Sequence, residues 1–416
     1  VTDLLWPGDH RAGGICSDAA LLTAMIQVER AWLDVLAGLG LLSDDALRGL
    51  TLTADREAVS VAAEQTGNPV PALVSALRAG CATTHPVASQ WLHRGLTSQD
   101  VLDTALALCV RDAAKLVMRE MCAQARLLMN LARTHRGTVA PARTLGRPAV
   151  PTTFGLTAAS WLDGVVDALE DLDGAAVGHV PVQVGGAAGT LAAVTELTGD
   201  PVKAVTAGAQ LAATLGLPKR SPWQTQRRPL TRLADALVAC TDAWGHIAND
   251  VLLRSRPEFG ELAEGSVAGR GGSSTMPGKE NPVLAVLIRR AALTAPGLAA
   301  QLHLAAASMV DERPDGPWHT EWAPLRSLAR RAVVAAEQAT ELLDGLVVHP
   351  DRMRANADAV ASVLLAERDA MRDVRGLPDE PTGVAGYLGA ADLLIHETLI
   401  RAEEYLDGSS RVHEHD

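Results

Sequence analysis

The sequence predicts an all-α protein built around long helices packed as a bundle, and three observations lead to that class. Hydrophobic residues make up 48% of the chain, yet it holds only eight Trp, two Phe and two Tyr. Ala and Leu supply most of the remainder, and these lead the helix scale, whereas sheets favour aromatic and β-branched residues. The second observation is the stretch "PLTRLADALVACTDAWGHIANDVLL", where Leu230, Leu233, Leu237, Cys240, Trp244, Ile247 and Val251 recur at alternating threes and fours, a heptad seam. The third is a similar seam in Leu106, Val110, Ala113, Val117, Met121, Leu128 and Leu131, interrupted by the polar Gln124. Helices of roughly 25 residues reach about 40 Å at 1.5 Å per residue, and such seams pack as bundles within a chain or between subunits.

Along the chain, residues 1–104 read as an N-terminal helical domain, 105–347 as a central long-helix domain, and 348–416 as a small C-terminal domain of short amphipathic helices. "THRGTVAPARTLGRPAVPTT" carries three prolines and two glycines and is too broken for helix, and "HVPVQVGGAAGT" is a second turn-rich piece. Strand signals are weak throughout. Six glycines between Leu253 and Val283 mark a long loop, which in a compact domain points to function.

A net charge of −12 disfavours nucleic acid and anionic membrane surfaces as partners. No run of about 18 uninterrupted apolar residues is present and the N-terminal stretch lacks signal-peptide order, so a cytoplasmic protein is expected. Cys16, Cys81, Cys109, Cys122 and Cys240 are scattered without metal-ligand spacing, and the 12 His residues form no HExxH. Buried thiols are expected, with no metal site.

The stretch "GRGGSSTMPGKENPVLAVLIRRAAL" concentrates polar chemistry before an apolar run. Asn281 and Pro282 suit an N-cap and first helical position, and the helix they start would offer free N–H groups and a positive dipole end to a carboxylate. Lys279 would add a full charge and Asn281 a donor. Gly269, Gly271 and Gly272 supply turns and hinges, and Ser273 and Ser274 sit where amides could stabilise a deprotonated hydroxyl. A flexible polar linker is the plain alternative. In "WLHRGLTSQDVLDTALALCV", Thr97 and Ser98 precede Asp100 as in a helix cap, and in "APARTLGRPAVPTTFG", Arg143, Thr144 and Arg147 offer cationic and hydroxyl contacts on a proline-braced turn.

"GGSSTMPGKENPV" resembles the signature loop of the fumarase/aspartase superfamily, G-S-S-x-M-P-x-K-x-N, at every defining position. "HRGLTSQDVLDTAL", "PTTFG" and "VQVGGAAGTLAAV" resemble three further blocks of the superfamily in its own order. Within it, "TGNPVPALVSAL", "TSQDVLDTAL", "QVGGAAGTLAA" and "WHTEW" look most like the bacterial 3-carboxy-cis,cis-muconate cycloisomerases, with adenylosuccinate lyases next. The resemblance implies an all-α, three-domain chain that forms a homotetramer with a central helix bundle and shared active sites. It implies that Ser273 is the proton-transfer group on a mobile loop and that Lys279 and Asn281 bind the carboxylate that gains charge. Thr97, Ser98 and Thr144 would contact carboxylates, and His93 matches a histidine of the adenylosuccinate lyase type. Arg143, Arg147, Gln183, Ser274, Met276 and Arg313 complete the candidate substrate contacts.

Removing a proton beside a carboxylate loads that group with a second negative charge, so fixed donors must be aimed where the charge grows. A serine becomes a competent base only where amides and a cation stabilise its alkoxide. The implied activity is conversion of 3-carboxymuconate to 4-carboxymuconolactone, without a cofactor. Leu145 stands where many members have histidine, and Gly278 and Glu280 flank the lysine where the muconate enzymes have histidine and arginine. These departures keep a second reading open, a lyase releasing fumarate from a substituted succinate such as nitrosuccinate, or of the adenylosuccinate lyase type. A catalytically inactive scaffold is the outlying third.

Overall fold

The computed structural model describes residues 3–176, 180–267, 269–272, 275–276, 278–378 and 380–413. Four long helices dominate, Ser98–Thr134, Arg228–Arg254, Val283–Ala307 and Trp322–Asp344. Both seams are core. From Leu230 to Val251 no seam residue is more than 2% exposed, and of the other seam only Leu131 is less than fully buried. Cys16, Cys81, Cys109 and Cys240 are buried thiols.

The chain divides into two compact units, one of residues 1–116, 172–237 and 296–333, the other of 117–171, 238–295 and 334–416. The first unit holds the helices Asp18–Gly38, Val70–Cys81 and Pro201–Leu215 with the leading half of the Ser98–Thr134 helix. Its interior contains an ion cluster. The Arg227 guanidinium, fully buried, donates to Asp103 at 2.7 and 3.1 Å and to Glu321 at 2.7 Å, while Trp318 Nε1 donates to Asp103 at 3.0 Å. Two carboxylates on one guanidinium satisfy its fork of donors, as a buried charge requires, and they hold Arg227 firmly protonated despite burial.

The second unit explains the polar gap in the seam. Gln124 is fully buried, and its amide donates to the Ala336 carbonyl at 2.9 Å and Thr340 Oγ1 at 3.1 Å while accepting from Trp244 Nε1 at 2.7 Å. One amide thereby ties three long helices together at a layer where apolar packing alone would leave the indole N–H unpaired. The proline-broken segment forms a hairpin, Val139–Thr144 paired antiparallel with Arg147–Thr153, which the sequence reading leaves as irregular chain. In a two-stranded sheet both strands are edges, so prolines that lack a donor are tolerated there. Leu145 and Gly146 form the turn at positive φ, 51° and 78°. Thr153 Oγ1 then accepts from Leu156 N at 3.1 Å and starts the Phe154–Ala176 helix. Gly155 is obligatory, because a Cβ there would lie 2.7 Å from both the Arg136 Cα and the His135 carbonyl. The C-terminal segment forms Pro350–Asp358, Ala361–Val374 and Ala391–His413.

Val283–Ala307 is long and apolar enough by composition to cross a membrane, although Arg289 and Arg290 interrupt it. It exposes Val286, Leu293 and Leu304.

Candidate active site

In the first unit the site residues gather at the start of the Ser98–Thr134 helix. Thr97 is the residue before it, and its N–H donates to the Asp100 carboxylate at 3.0 Å, half of a capping box. The Thr97 hydroxyl accepts from Arg313 at 2.6 Å, so these two candidate substrate contacts lie side by side. Ser98 is partly buried beside them. Asp100 is the residue that sequence reading treats only as a cap, and it does more. Fully buried, it also accepts from Gly185 N at 2.9 Å, Gly186 N at 3.0 Å and Gln183 Nε2 at 3.2 Å, which pins the glycine-rich 185–189 turn against the helix start. Burial outweighs these donors, and the carboxyl is pushed up to about 6. Gln183 is itself fully buried, its Oε1 accepting from Trp223 N at 2.8 Å and its Nε2 donating also to Gln224 at 3.1 Å. Its amide is therefore engaged by protein groups on both ends.

His93 lies four residues before Thr97 at a left-handed backbone position, φ 62°. Its Nδ1 is 2.6 Å from Oε1 of Glu29, a carboxylate with no solvent exposure, while the imidazole retains 20% exposure. Sequence reading did not single out Glu29; the signal was an acid on the apolar face of the Asp18–Gly38 helix, between Val28 and Trp32.

In the second unit the signature loop closes on itself. Both the backbone N–H and Nδ2 of Asn281 donate to the Gly271 carbonyl at 2.9 Å. Gly271 has φ 77°, and a Cβ on it would meet the Asn281 carbonyl at 2.7 Å, so glycine is required at this closure. Ser273 and Ser274, the proposed proton carrier and its neighbour, lie outside the described residues. Met276 and Lys279 are exposed, and the Lys279 ammonium has no partner among the described residues. Asn281 does not cap the following helix, and that helix does not present an open anion site. Its Leu284 and Ala285 N–H groups are taken by the Glu264 carboxylate at 3.1 and 2.7 Å, an internal anion at the positive dipole end. Burial raises the Glu264 carboxyl against the opposing pull of those two amides.

Of the hairpin residues, Arg143 makes a two-pronged pair with the fully buried Glu261, at 3.0 and 2.5 Å, and stacks over the Phe259 ring at 4.3 Å. Asn356 donates to the same Glu261 at 2.9 Å. Arg143 thus anchors the hairpin, while Thr144, Leu145 and Arg147 are exposed at its tip.

Long seam helices joined by segments that carry hydroxyls, an imidazole and an ammonium define the class, a helical protein with its polar chemistry on the connecting segments. The family described as "Lyase" matches residues 49–297. The nitrosuccinate lyase of Streptomyces davaonensis is 41% identical over 421 residues, covering 94% of this chain and 87% of that one. The 3-carboxy-cis,cis-muconate cycloisomerase of Bradyrhizobium diazoefficiens is 37% identical over 358 residues, covering 85% and 78%. The crystal structure of the 3-carboxy-cis,cis-muconate lactonizing enzyme from Pseudomonas putida superimposes with a TM-score of 0.83 at 28% identity, covering 92% and 94%. The chain belongs to this lyase family, within the fumarase/aspartase superfamily, and is an enzyme of its lyase and cycloisomerase type.

Proposed function

We propose that the protein eliminates a nitrogen-linked leaving group from a succinate derivative to give fumarate, with nitrosuccinate as the substrate. The observation that carries this is the 41% identity to a nitrosuccinate lyase along 94% of the chain. The loop agrees with it, since an exposed Glu280 next to Lys279 suits a dicarboxylate better than a more highly charged tricarboxylate. The step balances simply. A base takes one proton from the carbon next to a carboxylate, the C–H electrons form the double bond, and the C–N bond breaks with its electron pair leaving as nitrite.

Ser273 is the proposed base and Lys279 with Asn281 the clamp on the carboxylate that becomes doubly charged, where an ammonium beside the growing charge stabilises it. His93 is the acid–base partner. Thr97, Ser98, Thr144, Arg147, Ser274, Met276 and Arg313 orient the substrate, and Gln183 and Arg143 act through the buried partners that hold them. Members of the superfamily act on small polycarboxylates and are typically oligomeric, and the proposed assembly is a homotetramer with shared active sites and three domains per chain, divided near 104 and 347. The exposed Val286, Leu293 and Leu304 suit burial in such a helix bundle. A cytoplasmic location without nucleic-acid or membrane partners completes the proposal.

A second reading, cycloisomerisation of 3-carboxymuconate to its lactone, is favoured by the 0.83 TM-score to the lactonizing enzyme and uses the same proton transfer. Absorbance assays with nitrosuccinate, 3-carboxymuconate, adenylosuccinate and argininosuccinate decide between them. Fumarate and nitrite appearing in equal amounts from nitrosuccinate alone is the expected result; turnover of 3-carboxymuconate alone would transfer the assignment to the second reading.

A further inference from the structure

We infer that Glu29 is the positioning residue for His93, fixing its Nδ1–H tautomer so that Nε2 is the atom that exchanges a proton at the site. The inference rests on the reading of His93 as an acid–base group and extends it to a residue 64 positions away in the chain. Glu29 lies on the buried face of the Asp18–Gly38 helix beside Val28, Trp32 and Leu33, none of them exposed, and it has no exposure itself. A carboxylate in such a setting costs several kcal/mol unless it is partnered. Its Oε2 has no hydrogen-bond partner, so the whole compensation by hydrogen bonding falls on Oε1 and the His93 ring, 2.6 Å away. A chain needing only stability would place an apolar side chain here.

The imidazole is held as tightly as the carboxylate. The carbonyl of Leu92 accepts from Arg78 Nη2 at 2.7 Å, and that of Arg94 accepts from Trp32 Nε1 at 2.7 Å. The peptides before His93 and after Arg94 are thereby pinned, and the Arg94 N–H donates to the Trp91 carbonyl at 3.1 Å; together these keep a non-glycine residue in the left-handed region at φ 62°, a strained position that recurs at functional sites. An ionised carboxylate can only accept, so the ring nitrogen facing it must carry the hydrogen. Nε2 is left without a hydrogen-bond partner among the described residues, on a ring that is 20% exposed and four residues from Thr97. Arg78 is a cation close enough to Glu29 to be felt by it. An oriented imidazole with one nitrogen anchored and the other open is the arrangement that proton transfer needs.

Two independent readouts test this. Solid-state ¹⁵N spectra of histidine-labelled wild type, with His93 assigned by its loss in His93→Gln, should show Nδ1 protonated and Nε2 unprotonated in the neutral ring. An Nε2–H signal in the wild type overturns the inference without any change at Glu29. Kinetically, Glu29→Gln should lower kcat about 100-fold with KM changed less than threefold. Glu29→Asp, which keeps the charge, should recover part of that loss. Glu29→Gln combined with His93→Gln should be no slower than His93→Gln alone. Additive losses in that double variant, or full activity in Glu29→Gln, overturn the inference. If His93→Gln keeps full activity, the acid–base role of His93 and this inference fall together while the elimination reaction stands. Absence of turnover by the wild type would refute the proposed reaction and leave the tautomer measurement to decide the role of Glu29.

Discussion

Asp100 shows how a single residue can hold a loop and make the fold pH-sensitive. Its carboxyl sits near 6 rather than at its ordinary value of 3.8 because burial outweighs its four N–H donors. The folded chain therefore binds this proton more tightly than the unfolded chain. The stability it contributes is complete below about pH 3.8, declines as pH rises through about 6, and amounts to roughly 3 kcal/mol over those two units. Urea-unfolding midpoints of wild type and Asp100→Asn, at one protein concentration, should converge by about that amount between pH 4 and 7. A difference that stays flat or grows with pH would mean that the donors outweigh burial. At this scale the sequence reveals residue types but seldom their partners. Lys279, Asn281, Thr97 and His93 stand out by pattern, yet Gly185 and Gly186 lie more than 80 positions from Asp100, and Glu29 lies 64 from His93.

The same holds for elements. The seam helices are legible because a repeat of threes and fours is a local property of the chain, and burial of every residue from Leu230 to Val251 in that seam follows from it. The Val139–Thr144 and Arg147–Thr153 hairpin is not legible, because its strands lack β-branched alternation and owe their pairing to a Leu145–Gly146 turn and to the Arg143–Glu261 anchor 118 residues on. The helix that follows the signature loop was expected to be capped by its neighbour Asn281, but the carboxylate at its N-terminus comes from Glu264, 20 positions back. Replacing that acid by alanine removes two charge-assisted hydrogen bonds. Glu264→Ala should destabilise the helix start by about 1–2 kcal/mol, and Glu264→Gln, which keeps an acceptor, by less. Amide hydrogen exchange at Leu284 and Ala285 should accelerate roughly tenfold in the alanine variant while the seam of Arg228–Arg254 is unchanged. Unaltered exchange at those two amides would show that the dipole end does not depend on Glu264.

At the scale of the whole molecule, the all-α class was readable from the seams and the superfamily from four ordered motifs, because both are local patterns of residue types along the chain. Substrate choice is less legible, and the departures from the superfamily pattern proposed to bear on it, Leu145, Gly278 and Glu280, are exposed tip and loop residues. In the proposed reaction one proton moves at the carbon beside a carboxylate while a bond to the next carbon forms or breaks. Turnover in D₂O read by NMR tests it directly. In the addition direction, nitrite onto fumarate or lactone closure of 3-carboxymuconate, the product should carry one deuteron at its methylene carbon, and Ser273→Ala should abolish its appearance; the nitro-bearing carbon of nitrosuccinate is not scored, because its acidic hydrogen exchanges with solvent unaided. Product formed without deuterium at the methylene carbon would mean that no proton is delivered there.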